Sequence, residues 1–168
     1  MCRGFEEQHL TPLLGPLLRA VADCLAATTE LDSQSLLFSL VNLVVDRLGA
    51  EVAPHAPGLL ALLPAVWEAA DGQELLRMQV LVTMARLCNA LGGASTSTHG
   101  VLLPMLSHAL ASGGGSVLVE DALAAWLVAL RNAPGAAGSE ALLRPLPVLP
   151  ALVDQSTGAS ASSQQRGC

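Results

Sequence analysis

The chain has 168 residues, 52% of them hydrophobic and only 13% charged, and a formal net charge of −6. It is too apolar for a disordered chain over most of its length. Its eight basic residues are all arginines and lie scattered, so it lacks the basic patch of a nucleic-acid binder; the acidic balance suits basic protein partners better. With two Trp, two Phe and no Tyr, burial falls mainly to Leu, Val and Ala, which suits closely approaching helices.

In chain order, residues 1–9 read as a polar lead-in. Thr11 and Pro12 look like the N-cap and first position of a helix running to about Ala27. Asp32 is expected to cap a second helix, about Ser33 to Leu48, stopped by Gly49. The run L-L-F-S-L-V-N-L-V-V has β-branched content, but its length and spacing favour helix. Pro54 and Pro57 open a third helix to Ala70. Asp71 with Glu74 resembles a capping box for a fourth, ending at Gly92-Gly93. Thr96, Ser97 or Thr98 caps a fifth, to about Ala111. Ser116 precedes a sixth, Val117 to Leu130, with Glu120 and Asp121 near its start and Arg131 at its end, as the helix dipole favours. Ser139 caps a seventh, to about Val153, with Pro145, Pro147 and Pro150 making its middle irregular. Residues 155–168 are polar, low-complexity sequence expected to be disordered.

The helices repeat. Shifting the chain by 43 superimposes Leu17, Leu60, Leu103 and Leu146, then Ala20, Leu63, Leu106 and Leu149, then Cys24, Trp67, Leu110 and Val153. On the even-numbered helices Leu37, Val80 and Leu123 align, then Val41, Met84 and Leu127, then Val44, Leu87 and Leu130. Gly49, Gly92 and Gly135 coincide as helix stops. Two helices per unit at this interval is the HEAT/armadillo class. The expected fold is therefore an all-α HEAT-repeat α-solenoid of about three and a half helical hairpins. It spans residues 10–154 in units 10–52, 53–95 and 96–138 and a half-unit 139–154. Neither end shows a polar capping unit, which reads as a piece of a longer array.

No reacting constellation emerges. The charge-free runs 52–67 and 87–119 are broken by prolines or glycines, so no membrane span is expected. The start M-C-R-G-F-E-E has no apolar signal-peptide core. Cys2, Cys24, Cys88 and Cys168 form no C-x-x-C pair and have no His at zinc-finger spacing, which points to a reducing compartment. His9, His55, His99 and His108 show no metal-ligand spacing. Cys88 with a distant His would make a nucleophile and base, but it sits on an apolar helical pattern and reads as packing. Adjacent Glu120 and Asp121 point about 100° apart on a helix and would not flank one substrate. Gly113-Gly114-Gly115 has no G-K-[ST] after it and reads as a turn. Trp67 and Trp126 lie on apolar stripes and are expected in the core. No catalytic, metal or cofactor residue is expected, and the chain is not expected to be an enzyme.

The segments P-A-V-W-E-A-A-D-G-Q-E-L-L-R-M-Q-V-L-V-T-M-A-R-L-C-N-A-L-G and L-V-E-D-A-L-A-A-W-L-V-A-L-R-N-A-P resemble the importin-β (karyopherin-β) nuclear transport receptors, nearest the importin-eleven-like subgroup, over about residues 10–153. The resemblance implies a right-handed HEAT superhelix in a receptor shuttling between cytoplasm and nucleus. It implies protein cargo on an inner surface lined by the second helix of each repeat, and Phe-Gly nucleoporins on the outer side between first helices. It implies a Ran-type small GTPase near the receptor's N-terminus, and so not through this stretch alone. No residue here matches a cargo or nucleoporin motif. The alternative is a HEAT-repeat scaffold or regulatory subunit of another protein assembly.

Overall fold

The computed structural model describes the backbone of residues 3–111, 116–135 and 139–148, and the side chains within them from residue 12 to residue 147. Among these residues there are six α-helices and no strand: α1 (Arg3–Ala27), α2 (Leu31–Leu48), α3 (Ala56–Ala69), α4 (Glu74–Leu91), α5 (Thr96–Ala111) and α6 (Leu118–Asn132). The fold is all-α, a short solenoid of antiparallel hairpins. The β-branched run in α2 is helical. Short 3₁₀ turns, Gly49–His55 and Gly92–Ser95, carry the chain from α2 to α3 and from α4 to α5.

The helices form two layers. The second helices α2, α4 and α6 lie side by side, and the first helices α1, α3 and α5 lie behind them. The second helices pack against one another more closely than the first helices do. In a curved stack the closer-packed layer is the inside of the curve.

Burial recurs every 42 residues within the helices, not every 43. In the first helices Leu14, Leu18, Val21 and Leu25 correspond to Ala56, Leu60, Leu63 and Trp67, and these to Thr98, Leu102, Met105 and Ala109; all twelve are buried. In the second helices Gln34, Phe38, Val41 and Val45 correspond to Leu76, Val80, Thr83 and Leu87, then to Leu118, Ala122, Ala125 and Ala129; these too are all buried. Each set has the i, i+4, i+7, i+11 spacing of one helix face. The 43-residue stripe is therefore corrected at its ends. Ala20 and Cys24 are exposed, Leu17, Leu37, Val44, Leu123 and Leu130 are half-buried, and Leu127 is 47% exposed. The 43-residue alignment holds best around α4, because α4 is flanked by α2 and α6 and buries Arg77, Leu81, Met84 and Cys88 on a second face as well.

The glycine stops keep the 43-residue interval at two of three places. Gly49 and Gly92 both sit at φ 52°, and each donates its N–H to a carbonyl four residues back, Val45 and Cys88. An L-side chain is strained at that φ, so glycine ends the helix there. The third stop differs. α6 ends at Asn132 because Ala133, at φ −66° and ψ 127°, precedes Pro134, and a residue before proline is driven out of the helical region. Gly135 lies beyond that break.

Several helix starts also differ from expectation. α1 begins at Arg3, so Thr11 and Pro12 lie inside it. Glu6, Glu7, Gln8 and Leu10 are strong helix formers, and Pro12 and Pro16 are accommodated within the helix. Asp32 is in the first turn of α2 rather than at its cap, and the N-cap Glu30 makes no capping bond. Asp71 does not cap α4, which starts at Glu74; its carboxylate is drawn to Arg77 instead. α5 needs no Thr96 cap, since the preceding 3₁₀ turn runs straight into it. Ser116 lies one residue before the N-cap, which is Val117, and its Oγ accepts the Leu118 N–H at 3.2 Å. The expected seventh helix is replaced, over the described residues, by 3₁₀ turns at Ala141–Leu143 and Leu146–Val148, because Pro145 and Pro147 deny helical hydrogen bonds. Residues 112–115, 136–138 and 149–168, with the Gly113-Gly114-Gly115 turn and the polar tail, lie outside the described residues.

Candidate protein-interaction surface

The side of α2, α4 and α6 that faces away from the first helices carries four of the exposed large apolar side chains, Leu36, Leu40, Leu43 and Leu127. On α2, Leu36, Leu40 and Leu43 are 72%, 37% and 54% exposed. Their i, i+4, i+7 spacing sets them on one stripe opposite the buried Phe38, Val41 and Val45. On α4 the corresponding positions are Met78, Val82 and Ala85, all half-buried. On α6 they are Glu120, Ala124 and Leu127, all exposed. A shallow groove of about 390 Å³ runs between α4 and α6, with Val82, Ala85, Ala124 and Val128 on its walls. Arg86 on α4 pairs with Asp46 on α2 across the neighbouring seam. The layer is thus tied side to side by an ion pair at its edge and by apolar packing beneath.

Glu120 and Asp121 part as helix geometry requires. Glu120 faces solvent and Asp121 is half-buried beside the α4–α6 groove. Burial, and then the neighbouring Glu120 charge, push the Asp121 carboxyl above its ordinary range.

Trp67 and Trp126 are both buried, as their stripes predicted. Trp67 forms the floor of a polar junction of three helices that the periodicity does not reveal. Buried Arg77 of α4 lies over the Trp67 ring at 5.1 Å. It donates to the Trp67 carbonyl at 3.3 Å and to Asp71 at 3.1 Å, and its Nη1 is 2.9 Å from Nε2 of His108 on α5. His108 meets Trp67 edge-on, with ring centroids 5.7 Å apart. The one available signal was a charged residue at an otherwise apolar, periodic position of α4.

Cys88 is fully buried, and its Sγ lies 3.0 Å from Thr98 Oγ1. Burial pushes its thiol pKa up, the opposite of what an activated nucleophile needs. Cys24 is exposed, and Cys2 and Cys168 lie outside the described residues. His99 is buried in the first turn of α5 and its Nε2 has no protein partner. His55 packs against Gly15 of α1, and the side chain of His9 is outside the described set. Among the described residues no three His, Cys, Asp or Glu side chains gather into a possible metal site, and no helix is long and apolar enough to cross a membrane. The outer face of the second helices offers apolar contact and charge.

Comparison with known proteins gives this surface a context. A family model described as importin-11-like TPR repeats matches residues 78–162. Importin-11 of Mus musculus and of Homo sapiens are each 28% identical over 132 residues, covering 77% of this chain. The importin beta-like protein kap113 of Schizosaccharomyces pombe is 25% identical over 105 residues, covering 62%. The chain spans only 14% of the length of the two importin-11 relatives. No solved structure gives a significant match. The model's description speaks of TPR repeats, whose period is about 34 residues; the spacing of buried positions here lies within the roughly 40–47 of HEAT and armadillo repeats.

Proposed function

Because this chain belongs to the importin-11-like family, we propose that it is a segment of an importin-β-like nuclear transport receptor, acting as a non-enzymatic protein-binding scaffold. The observation that carries the reading is the continuous layer of α2, α4 and α6, whose outer side leaves Leu36, Leu40, Leu43 and Leu127 in solvent. Fold stability does not require leucines there. Apolar residues repeated along one exposed face mark a surface that another protein covers.

In this reading cargo protein lies against the second helices, and Phe-Gly nucleoporins engage the side formed by the first helices. The receptor cycles between cytoplasm and nucleus. A Ran-type GTPase acts on other parts of the receptor rather than through this segment alone. The net charge of −6 supports basic cargo.

Proximity labelling from the 168-residue chain in cells tests the reading. Enrichment of nucleoporins and imported nuclear proteins is expected. Labelling confined to a single cytoplasmic assembly, with nucleoporins at background, would overturn it.

A further inference from the structure

The proline-rich segment after α6 carries a pattern that the helical repeat does not use. Residues 144–150 read R-P-L-P-V-L-P. Pro147 and Pro150 stand three apart, and Arg144 stands three before Pro147. Polyproline II has three residues per turn. In that form Arg144, Pro147 and Pro150 share one edge, Leu146 and Leu149 a second, and Pro145 and Val148 the third. A 3₁₀ helix also has three residues per turn, so side chains three apart share an edge there too. The described residues, with a 3₁₀ turn over Leu146–Val148, already show this sorting. Pro145 is buried, lining a cleft of about 400 Å³ with Leu103, Pro104 and Leu110 of α5. Arg144, Leu146 and Pro147 are exposed, Leu146 by 44%. The edge of Pro145 thus faces the protein, and residues of the other two edges lie in solvent.

We propose that residues 144–150 are a docking segment for a polyproline-binding domain of the SH3 type. Such a domain has an aromatic-lined groove for a P-x-x-P segment. Leu146-Pro147 and Leu149-Pro150 fill the groove, and Arg144 meets acidic residues at one end of it. Three residues of polyproline II advance about 9 Å, which sets the spacing of the two apolar contacts. Arg144 enters no ion pair among the described residues, so its guanidinium is open to a carboxylate of the partner. Its position at the N-terminal end also fixes the direction in which the segment lies. Passing from the 3₁₀ turn to polyproline II asks little of this backbone. Proline holds φ near −65° in both forms, so mainly ψ turns. Arg144, at φ −57° and ψ −36°, and Leu146 each precede a proline, and a residue before proline favours the extended ψ. Pro145 and Pro147 donate no hydrogen bond that would have to break. The bond from the Trp126 indole to the Leu142 carbonyl lies just upstream and anchors the segment to α6 while it docks. The site is separate from the outer face of the second helices and does not rest on the transport reading.

Isothermal titration of the 168-residue chain with a recombinant SH3 domain, one with acidic residues at one end of its groove, tests this. Saturable one-to-one binding is expected. Arg144→Glu is expected to weaken it about tenfold, and Pro147→Ala/Pro150→Ala to abolish it. Val148→Ala, on the edge shared with Pro145, is expected to leave it within about twofold. Arg144 is exposed, so Arg144→Glu should unfold at the wild-type temperature; should the double proline variant fail to fold, Arg144→Glu decides alone. A synthetic peptide of residues 142–152 is the companion probe. Binding by the peptide but not by the chain would show that the 3₁₀ turns withhold the segment, and would overturn the proposal. Failure of both to bind, or binding that Arg144→Glu leaves unchanged, would overturn it as well.

Discussion

Trp126 of α6 donates its indole N–H to the Leu142 carbonyl at 2.6 Å, which joins the third hairpin to the proline-rich segment after it. Both residues are buried, Trp126 at 4% and Leu142 at 0% exposure. Two contributions can be separated. Trp126→Phe keeps most of the apolar contact but strands a buried carbonyl, and is expected to cost about 1–3 kcal/mol in urea unfolding. Trp126→Ala removes the packing as well and is expected to cost about 3–5 kcal/mol. Equal losses would mean that the packing adds nothing beyond the hydrogen bond, and an unchanged Trp126→Phe would mean that the hydrogen bond contributes nothing.

The 42-residue register makes opposite predictions for two residues of α6 that lie two apart. Leu127 is 47% exposed and Ala129 is fully buried. Leu127→Ala is expected to change stability by less than about 0.5 kcal/mol, as at an ordinary surface site. Ala129→Leu forces extra methylenes into a packed interior and is expected to cost about 1–3 kcal/mol. Under a 43-residue register the larger effect would fall on Leu127, so chemical denaturation of the two variants decides the register directly.

The same pair shows what the sequence could reveal. Six helices, their glycine stops at Gly49 and Gly92 and the hairpin repeat were readable, because amphipathic spacing and glycine at positive φ leave strong local signals. The exact buried face was not. Matching apolar letters favours leucine, and here leucines flank the face while Gln34, Thr83, Thr98, Ala122, Ala125 and Ala129 form part of it. Small and polar residues are buried there because closely packed helices leave little room, and periodicity of hydropathy is blind to that. The exposed leucine face was hidden for the complementary reason. Leu36, Leu43 and Leu127 look like core letters and prove exposed only once the helices are stacked.

Acid should weaken the fold through His99. Burial lowers its pKa below the ordinary 6.5. As pH falls below that value the unfolded chain takes up a proton that the folded chain refuses, so the unfolded state gains protons and stability declines. His99 therefore supports full stability above about pH 6.5 and loses it as pH drops toward its lower folded value. Asp121 has the opposite sign. Its folded pKa is raised above 3.8, so its favourable contribution exists at low pH and is lost as pH rises through the folded value. Thermal unfolding of His99→Met should decline less than wild type as pH falls below about 6.5. Asp121→Asn should unfold at a higher temperature than wild type at pH 7. An unchanged pH profile in His99→Met would place the acid sensitivity elsewhere.

Arg77 carries the heaviest polar commitment in the array. Its guanidinium is buried, lies over Trp67 and uses separate nitrogens for the Trp67 carbonyl, His108 and Asp71. Asp71 is 87% exposed in its side chain, so its ion pair with Arg77 is screened by water and worth little alone. Asp71→Ala is accordingly expected to cost less than about 1 kcal/mol. The inner contacts are different, because removing the guanidinium strands the buried Trp67 carbonyl and uncovers the buried Trp67 ring. Arg77→Ala is expected to cost about 3–5 kcal/mol, the range for breaking a buried charged network. Arg77→Lys keeps the charge but not the planar fork, which alone presents several donors in fixed directions while stacking on an aromatic ring. It should recover less than half of the loss. Urea unfolding of the three variants orders them, and full rescue by lysine would mean that charge, not the fork, holds α3, α4 and α5 together at this point.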